Sequence, residues 1–181
     1  MDKATELILR QEDLKKYEVF CKAPGECSAH ELDEFCAIVA EGGEVSAGMR
    51  DRVTRAFRLG FIRYDGNAAG TAALKKPKAS YRTKVFSAAK SAVKPKDFPF
   101  ELGWIYLREE HRLKGQMTRL IGELMPLAQG ENIFATTRTA NTIMKDMLVQ
   151  LHFKPNGEEY PSTLQSNETL NLFLLDRGPK G

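Results

Sequence analysis

Cysteine is scarce in this sequence: Cys21, Cys27 and Cys36 stand among 181 residues, and no pair has the CxxC spacing. An odd number of thiols confined to the N-terminal region argues against a disulfide framework or a metal cluster, and the three are expected to be reduced. Long apolar runs are missing as well. No segment approaches the roughly 20 residues of a membrane span, and no basic head leads into an apolar stretch, so a soluble, cytosolic protein with no membrane association is expected. Low-complexity tracts are absent. A net charge of +3 is too mild to imply nucleic acid by itself. Acids are lacking locally: Lys75, Lys76, Lys78, Arg82, Lys84, Lys90, Lys94 and Lys96 meet none until Asp97. That stretch reads as a solvated basic loop around a short helix from Tyr81 to Ala92, or as a contact for an anionic substrate, cofactor phosphates or nucleic acid.

What is present suits one globular domain with a sizeable core, for 42% of the chain is hydrophobic. The domain is expected to span residues 1–176, with residues 177–181 a frayed tail. Thr5 to Arg10 reads as a first strand, and Leu14, Tyr17 and Cys21 follow at helix-like spacing until Pro24-Gly25. Ser28 with Glu31 forms a capping box for a helix carrying Leu32, Phe35, Cys36 and Val39, which Gly42-Gly43 ends. Ser46 is placed to cap a short helix bearing Met49, Val53 and Phe57. Leu59 to Tyr64 and Ala69 to Leu74, joined through Asp65-Gly66-Asn67, predict a hairpin. Asn132 to Thr137 reads as a strand, Asn141 to Leu151 as an amphipathic helix, and the C-terminal region as a hairpin whose outgoing strand is Leu170 to Leu175. Strand, helices, antiparallel strands, helix, strand, helix and hairpin make an α/β (α+β) protein.

The rest is organised around Glu101 to Phe153. Leu102-Gly103-Trp104-Ile105-Tyr106-Leu107 is an uncharged, buried-strand pattern, and Arg108 to Gln116 is a polar turn leading into a helix with Met117, Leu120, Ile121, Leu124 and Leu127 on one face. A kink or an early end is expected at Pro126. Such a turn aims free backbone amides and the positive end of a helix dipole at one point, a natural phosphate seat. His111 reads as a surface loop residue and His152 as a helix-closing one, while His30 carries no signal.

The run Arg112-Leu113-Lys114-Gly115-Gln116-Met117 resembles the Arg/Gln-x-x-Gly-x-Gly/Ala loop of the GNAT acyltransferase superfamily, matching at Arg112 and Gly115 and departing at Met117. Asn141 to Phe153 is similar to that superfamily's Asn-x-x-Ala-x-x-Leu-Tyr-x-x-x-Gly-Phe segment, chiefly through Asn141 and Phe153. The resemblance covers the C-terminal half through motifs and the N-terminal half through element order. It implies a mixed, mostly antiparallel central sheet with a splayed pair of parallel strands, flanked by helices. It also implies acetyl-CoA as cofactor, with no metal. The pantetheine arm would pair with the strand edge Trp104, Ile105, Tyr106 and Leu107, best through Tyr106 and Leu107. The pyrophosphate would sit on the amides from Arg112 through Leu113, Lys114, Gly115 and Gln116 to Met117, with charge from Arg112 and Lys114. Asn141 would touch the arm, cap its helix, or both, and Trp104 also reads as a core aromatic.

Acyl transfer to an amine requires proton removal from the amine, a polarised carbonyl and a stabilised thiolate. By resemblance Glu101 is the base, and the amide of Leu107 polarises the carbonyl. The family's tyrosine acid falls on Leu148, which has no proton to give, so Tyr160 is the first substitute, with Tyr106 or water behind it. The implied activity is N-acetyl transfer to an amine-bearing small molecule or protein, by a monomer or homodimer. A degenerate acyl-CoA-binding sensor or scaffold, or a nucleic-acid-associated protein using Lys75 to Lys96, are the alternatives.

Overall fold

The computed structural model describes residues 3–43 and 47–178. In chain order the elements are α1 (Lys3–Lys15), β1 (Tyr17–Lys22), α2 (Ala29–Glu41), α3 (Met49–Thr54), β2 (Arg58–Tyr64), β3 (Asn67–Lys75), α4 (Ala79–Ala88), β4 (Phe100–Leu107), α5 (Gln116–Leu124), β5 (Ile133–Arg138), α6 (Thr142–Gln150), β6 (Lys154–Pro161) and β7 (Thr169–Leu175). The seven strands form one sheet in the order β1-β2-β3-β4-β5-β7-β6. The sheet is mixed and mostly antiparallel, with β4 and β5 the parallel pair at Phe100↔Ile133 and Glu101↔Phe134.

Local chemistry explains most of these elements. Ser28 and Glu31 complete the expected capping box of α2, the serine Oγ accepting from the Glu31 amide at 3.1 Å and the glutamate accepting from the Ser28 amide at 2.8 Å. Asp65 (φ 49°) and Gly66 (φ 78°) make the two-residue turn of the β2–β3 hairpin, whose last pair is Tyr64↔Asn67. Helix α5 ends at Leu124, and a 3-10 turn over Met125–Ala128 carries Pro126, as its backbone demands.

The N-terminus corrects the sequence reading. Thr5 to Arg10 lies in α1, and the first strand is Tyr17–Lys22, where helix-like spacing had been read. The Leu7-Ile8-Leu9 run suggests a strand, but Glu6, Arg10, Gln11 and Lys15 around it favour a helix, and Leu7 is 57% exposed. Tyr, Val, Phe and Cys in β1 suit a pleated surface and pair with β2 from Tyr17↔Tyr64 to Lys22↔Leu59. The expected cap Ser46 lies outside the described residues, and Gly48 stands at the N-cap of α3. Helix α4 begins and ends earlier than expected, and of the expected C-terminal tail residues 179–181 lie outside the described residues.

The chain divides into two compact units, Met1–Leu74 with Trp104–Leu127, and Lys75–Gly103 with Ala128–Gly181. The first has a core of Leu32, Phe35 and Val39 from α2, Val53 from α3, Leu59 and Phe61 from β2, Ala73 and Trp104. Its aromatics interlock, Phe35 meeting Phe61 and Trp104 edge-on at 5.4 and 6.0 Å between ring centres. Helix α5 lies on β1 and β2, with Leu120 filling the space over Gly60 that a side chain would need. The second unit is built on Val85, Phe86 and Ala89 at α4, Phe98, Phe134 from β5, Tyr160 from β6, and Leu172 and Leu174 from β7.

Candidate active site

Strand β4 leads into the Arg112–Met117 loop, and it breaks regularity at Trp104. That residue has φ 50°, a left-handed conformation costing a non-glycine residue about 1–2 kcal/mol. Its surroundings fix it: the Trp104 carbonyl accepts from Thr71 Oγ1 at 3.0 Å, and its ring is buried against Phe35. Strain held in this way collects at functional sites. Beyond the break the Arg108 amide donates to the Ala69 carbonyl at 3.0 Å, so by strand alternation Tyr106 faces β3 while Ile105 and Leu107 direct their backbone groups to the other edge. The Tyr106 carbonyl accordingly lies over Gly70, 2.8 Å from where a Cβ would stand. The available edge is therefore Ile105 and Leu107 rather than Tyr106. A small cavity of about 50 Å³ beside it is lined by Val39, Gly42, Trp104, Ile105 and Tyr106.

The following turn contains two left-handed residues, Leu113 (φ 61°) and Gly115 (φ 75°), the latter at the N-cap of α5. Glycine meets that φ without strain, and a Cβ there would have nothing within 4 Å, so the space over Gly115 is open. The first intrahelical bond runs from the Arg119 amide to the Gly115 carbonyl. The amides of Gln116, Met117 and Thr118 have no carbonyl one turn back, and they offer donors at the positive end of the helix dipole. An open glycine, helical amides at the start of α5 and the β4 edge at Ile105 and Leu107 fit a phosphate-bearing arm.

The side chains of this loop are tied into the same unit. Arg112 donates from Nε to the Leu107 carbonyl at 3.0 Å and lies 5.9 Å over the Tyr106 ring. Lys114, expected to lend its charge to phosphate, instead pairs with Asp13 at 2.9 Å and sits over the rings of Tyr17 and Tyr64. The Tyr64 hydroxyl donates to the same carboxylate at 2.6 Å, and these two bonds hold Asp13 below the usual carboxylate range. Tyr17 is hydrogen-bonded to His111 Nδ1 at 2.8 Å, so this histidine is a fastener of the loop.

In the second unit Glu101, the expected base, is 3% exposed. Its Oε1 pairs with Lys75 Nζ at 2.9 Å and accepts from Tyr81 Oη at 3.3 Å. Lys75 reaches it across Gly103, where a Cβ would stand 2.8 Å from Lys75 Cε. Tyr160 is also buried, and its hydroxyl has no hydrogen-bond partner among the described residues. Burial first, and the charge of Glu101 second, push its phenol far up, so it keeps its proton at neutral pH. Lys75 and Tyr81 escaped the sequence reading as neighbours of Glu101. The glycine at 103, inside an otherwise bulky strand, was the signal for a close approach.

Asn141 caps α6, its Oδ1 accepting from the Met144 amide at 3.1 Å. Leu148, where a tyrosine acid would be expected, is buried. In the basic stretch Lys75 and Lys90 are paired with Glu101 and Glu158, and α4 turns Val85 and Phe86 inward. Among the described residues no group of His, Cys, Asp and Glu could hold a metal ion, and no helix is long and apolar enough to cross a membrane.

By sequence the chain matches no family model and no curated protein. By structure it is similar to an acyl-CoA N-acyltransferase from Pseudomonas aeruginosa, at 11% identity over 87% of this chain and 98% of that one, with a TM-score of 0.64. The Salmonella typhimurium protein yncA, determined with its cofactor acetyl-CoA, aligns at 13% identity over 91% of this chain and 96% of its own, TM-score 0.61. A GNAT-family acetyltransferase from Bacillus cereus aligns at 13% identity over 90% and 99%, TM-score 0.57. The chain has the fold of the GNAT acetyltransferases.

Proposed function

We propose that the protein is an acetyl-CoA-dependent N-acetyltransferase acting on a primary amine of a small molecule or protein. The observation that carries this reading is β4 itself: a buried glutamate at its start, a left-handed break at Trp104, and beyond it an edge and a glycine-opened helix suited to a phosphate-bearing arm. Similarity in fold to a protein holding acetyl-CoA supports it.

Bound acetyl-CoA supplies an acetyl group activated as a thioester. The chain's own residues do the rest. The backbone of Ile105 and Leu107 aligns the pantetheine arm as an added strand would, and the Leu107 amide polarises the carbonyl. The amides from Leu113 to Met117 and the outer N–H groups of Arg112 receive the pyrophosphate, while Lys114 holds the loop in shape through Asp13. Asn141, with its oxygen committed to the helix, offers its amide nitrogen. Glu101 is the group on which the proton lost by the amine comes to rest. Tyr160, which keeps its own proton, steadies the departing thiolate by a hydrogen bond.

A second reading, acyl-CoA binding without turnover, draws on Leu148 in place of a tyrosine and on the engagement of Glu101 by Lys75. A thiol-release assay over a panel of amines separates the two. The enzyme reading expects release above hydrolysis background, reduced on the order of 10²-fold or more in Glu101→Gln. Calorimetric binding of acetyl-CoA without release by any amine would leave the binding protein standing.

A further inference from the structure

Glu101 cannot meet an amine directly in this arrangement, because it is 3% exposed and its Oε1 is met by two side chains of its own unit. We infer that Tyr81 relays the proton between the acceptor amine and Glu101, an inference that rests on the acetyl-transfer reading above.

Four observations lead to Tyr81. Its hydroxyl donates to Glu101 Oε1 at 3.3 Å, and the residue is 42% exposed, so it touches the buried carboxylate and also reaches solvent. Lys75, the other group on that oxygen, is an ammonium with no lone pair and cannot accept a proton from an amine. Its stem lies over Gly103, filling the space where a side chain would stand. Tyr160, the other phenol near this carboxylate, is 6% exposed in the core of its unit, and its hydroxyl meets no partner there. Helix α4 is anchored through Val85 and Phe86, with Phe86 edge-on to Phe134 at 5.4 Å, so Tyr81 is presented from a fixed element.

The relay conserves atoms and charge. The N–H bond of the substrate ammonium breaks as an O–H bond forms on the Tyr81 oxygen. The original Tyr81 O–H bond breaks as one forms on Glu101 Oε1. The amine is left neutral with its lone pair free to attack, Tyr81 is regenerated, and Glu101 holds the proton. The pair Lys75–Glu101 keeps the carboxylate pointed at the phenol, which makes Lys75 a positioning residue.

The test compares wild type, Tyr81→Phe, Glu101→Gln and the double variant by thiol release with acetyl-CoA and a reactive amine. Phenylalanine keeps the ring and removes only the hydroxyl, and the thermal melt of each variant checks folding. A relay predicts that Tyr81→Phe lowers kcat by about tenfold or more, leaves the KM for acetyl-CoA within about twofold, and causes no further loss on the Glu101→Gln background. Wild-type turnover with an undiminished Tyr81→Phe overturns the relay alone, as do two losses that multiply in the double variant. A wild type that releases no thiol with any amine overturns acetyl transfer, and the relay with it.

Discussion

Single residues at backbone extremes carry much of this molecule's chemistry. Trp104, Leu113 and Gly115 all have positive φ, and only Gly115 does so without strain. Gly115→Ala therefore separates two effects. Its Cβ would meet nothing within 4 Å, so the folded protein loses only the conformational preference, about 1 kcal/mol or a few degrees of Tm. The same methyl group would occupy the open space assigned to the pyrophosphate. Acetyl-CoA affinity by titration calorimetry is expected to fall about tenfold or more, and an unchanged affinity beside the lowered Tm would remove the loop from the cofactor site. Gly115 and Asn141 were legible because their local roles, a left-handed turn and a helix cap, are written in residue type. The engagement of Lys114 by Asp13 was not, since 101 positions separate them and nothing in either neighbourhood points to the other.

At the scale of elements, charged side chains fasten α1 and α2. Tyr64 and then Lys114 lower the carboxyl of Asp13, Lys22 and then the Ser28 amide lower Glu31, and Arg108 lowers Glu41. Each folded-state value lies below the ordinary 3.8 of aspartate or 4.5 of glutamate, so protonation favours the unfolded chain. The stability these pairs contribute is present above the ordinary values and is lost as pH falls through the lowered ones. Melts from about pH 7 to about pH 2 should show Tm falling chiefly below about pH 4.5. The fall should be shallower in Glu41→Gln, which begins less stable at neutral pH. Equal slopes in the two proteins would deny Glu41 a part. The capping box of α2 was visible in sequence because Ser28 and Glu31 are three apart. Helix α1 was not, because three consecutive apolar residues resemble a strand and outweighed the helix-favouring Glu6, Arg10, Gln11 and Lys15 around them.

For the whole molecule, element order after Leu59 was readable, since hairpin turns, glycines and apolar periodicity are local signals. The neighbours of Glu101 depend on tertiary placement. Lys75 ends one strand, Tyr81 lies in the first turn of a helix and Tyr160 lies in another strand, and no spacing rule joins them. The same holds for the two-pair parallel ladder of β4 and β5, which local pattern could not supply but which the resemblance to GNAT proteins anticipated. Fold alone does not fix activity, which depends on the chemistry at β4. Its most direct test is to follow labelled acetyl from acetyl-CoA in the presence of a primary amine. Acetyl transfer predicts label in a new amide, formed by wild type and strongly reduced in Glu101→Gln. Label that remains in acetyl-CoA, or leaves it only as free acetate, would contradict the assignment.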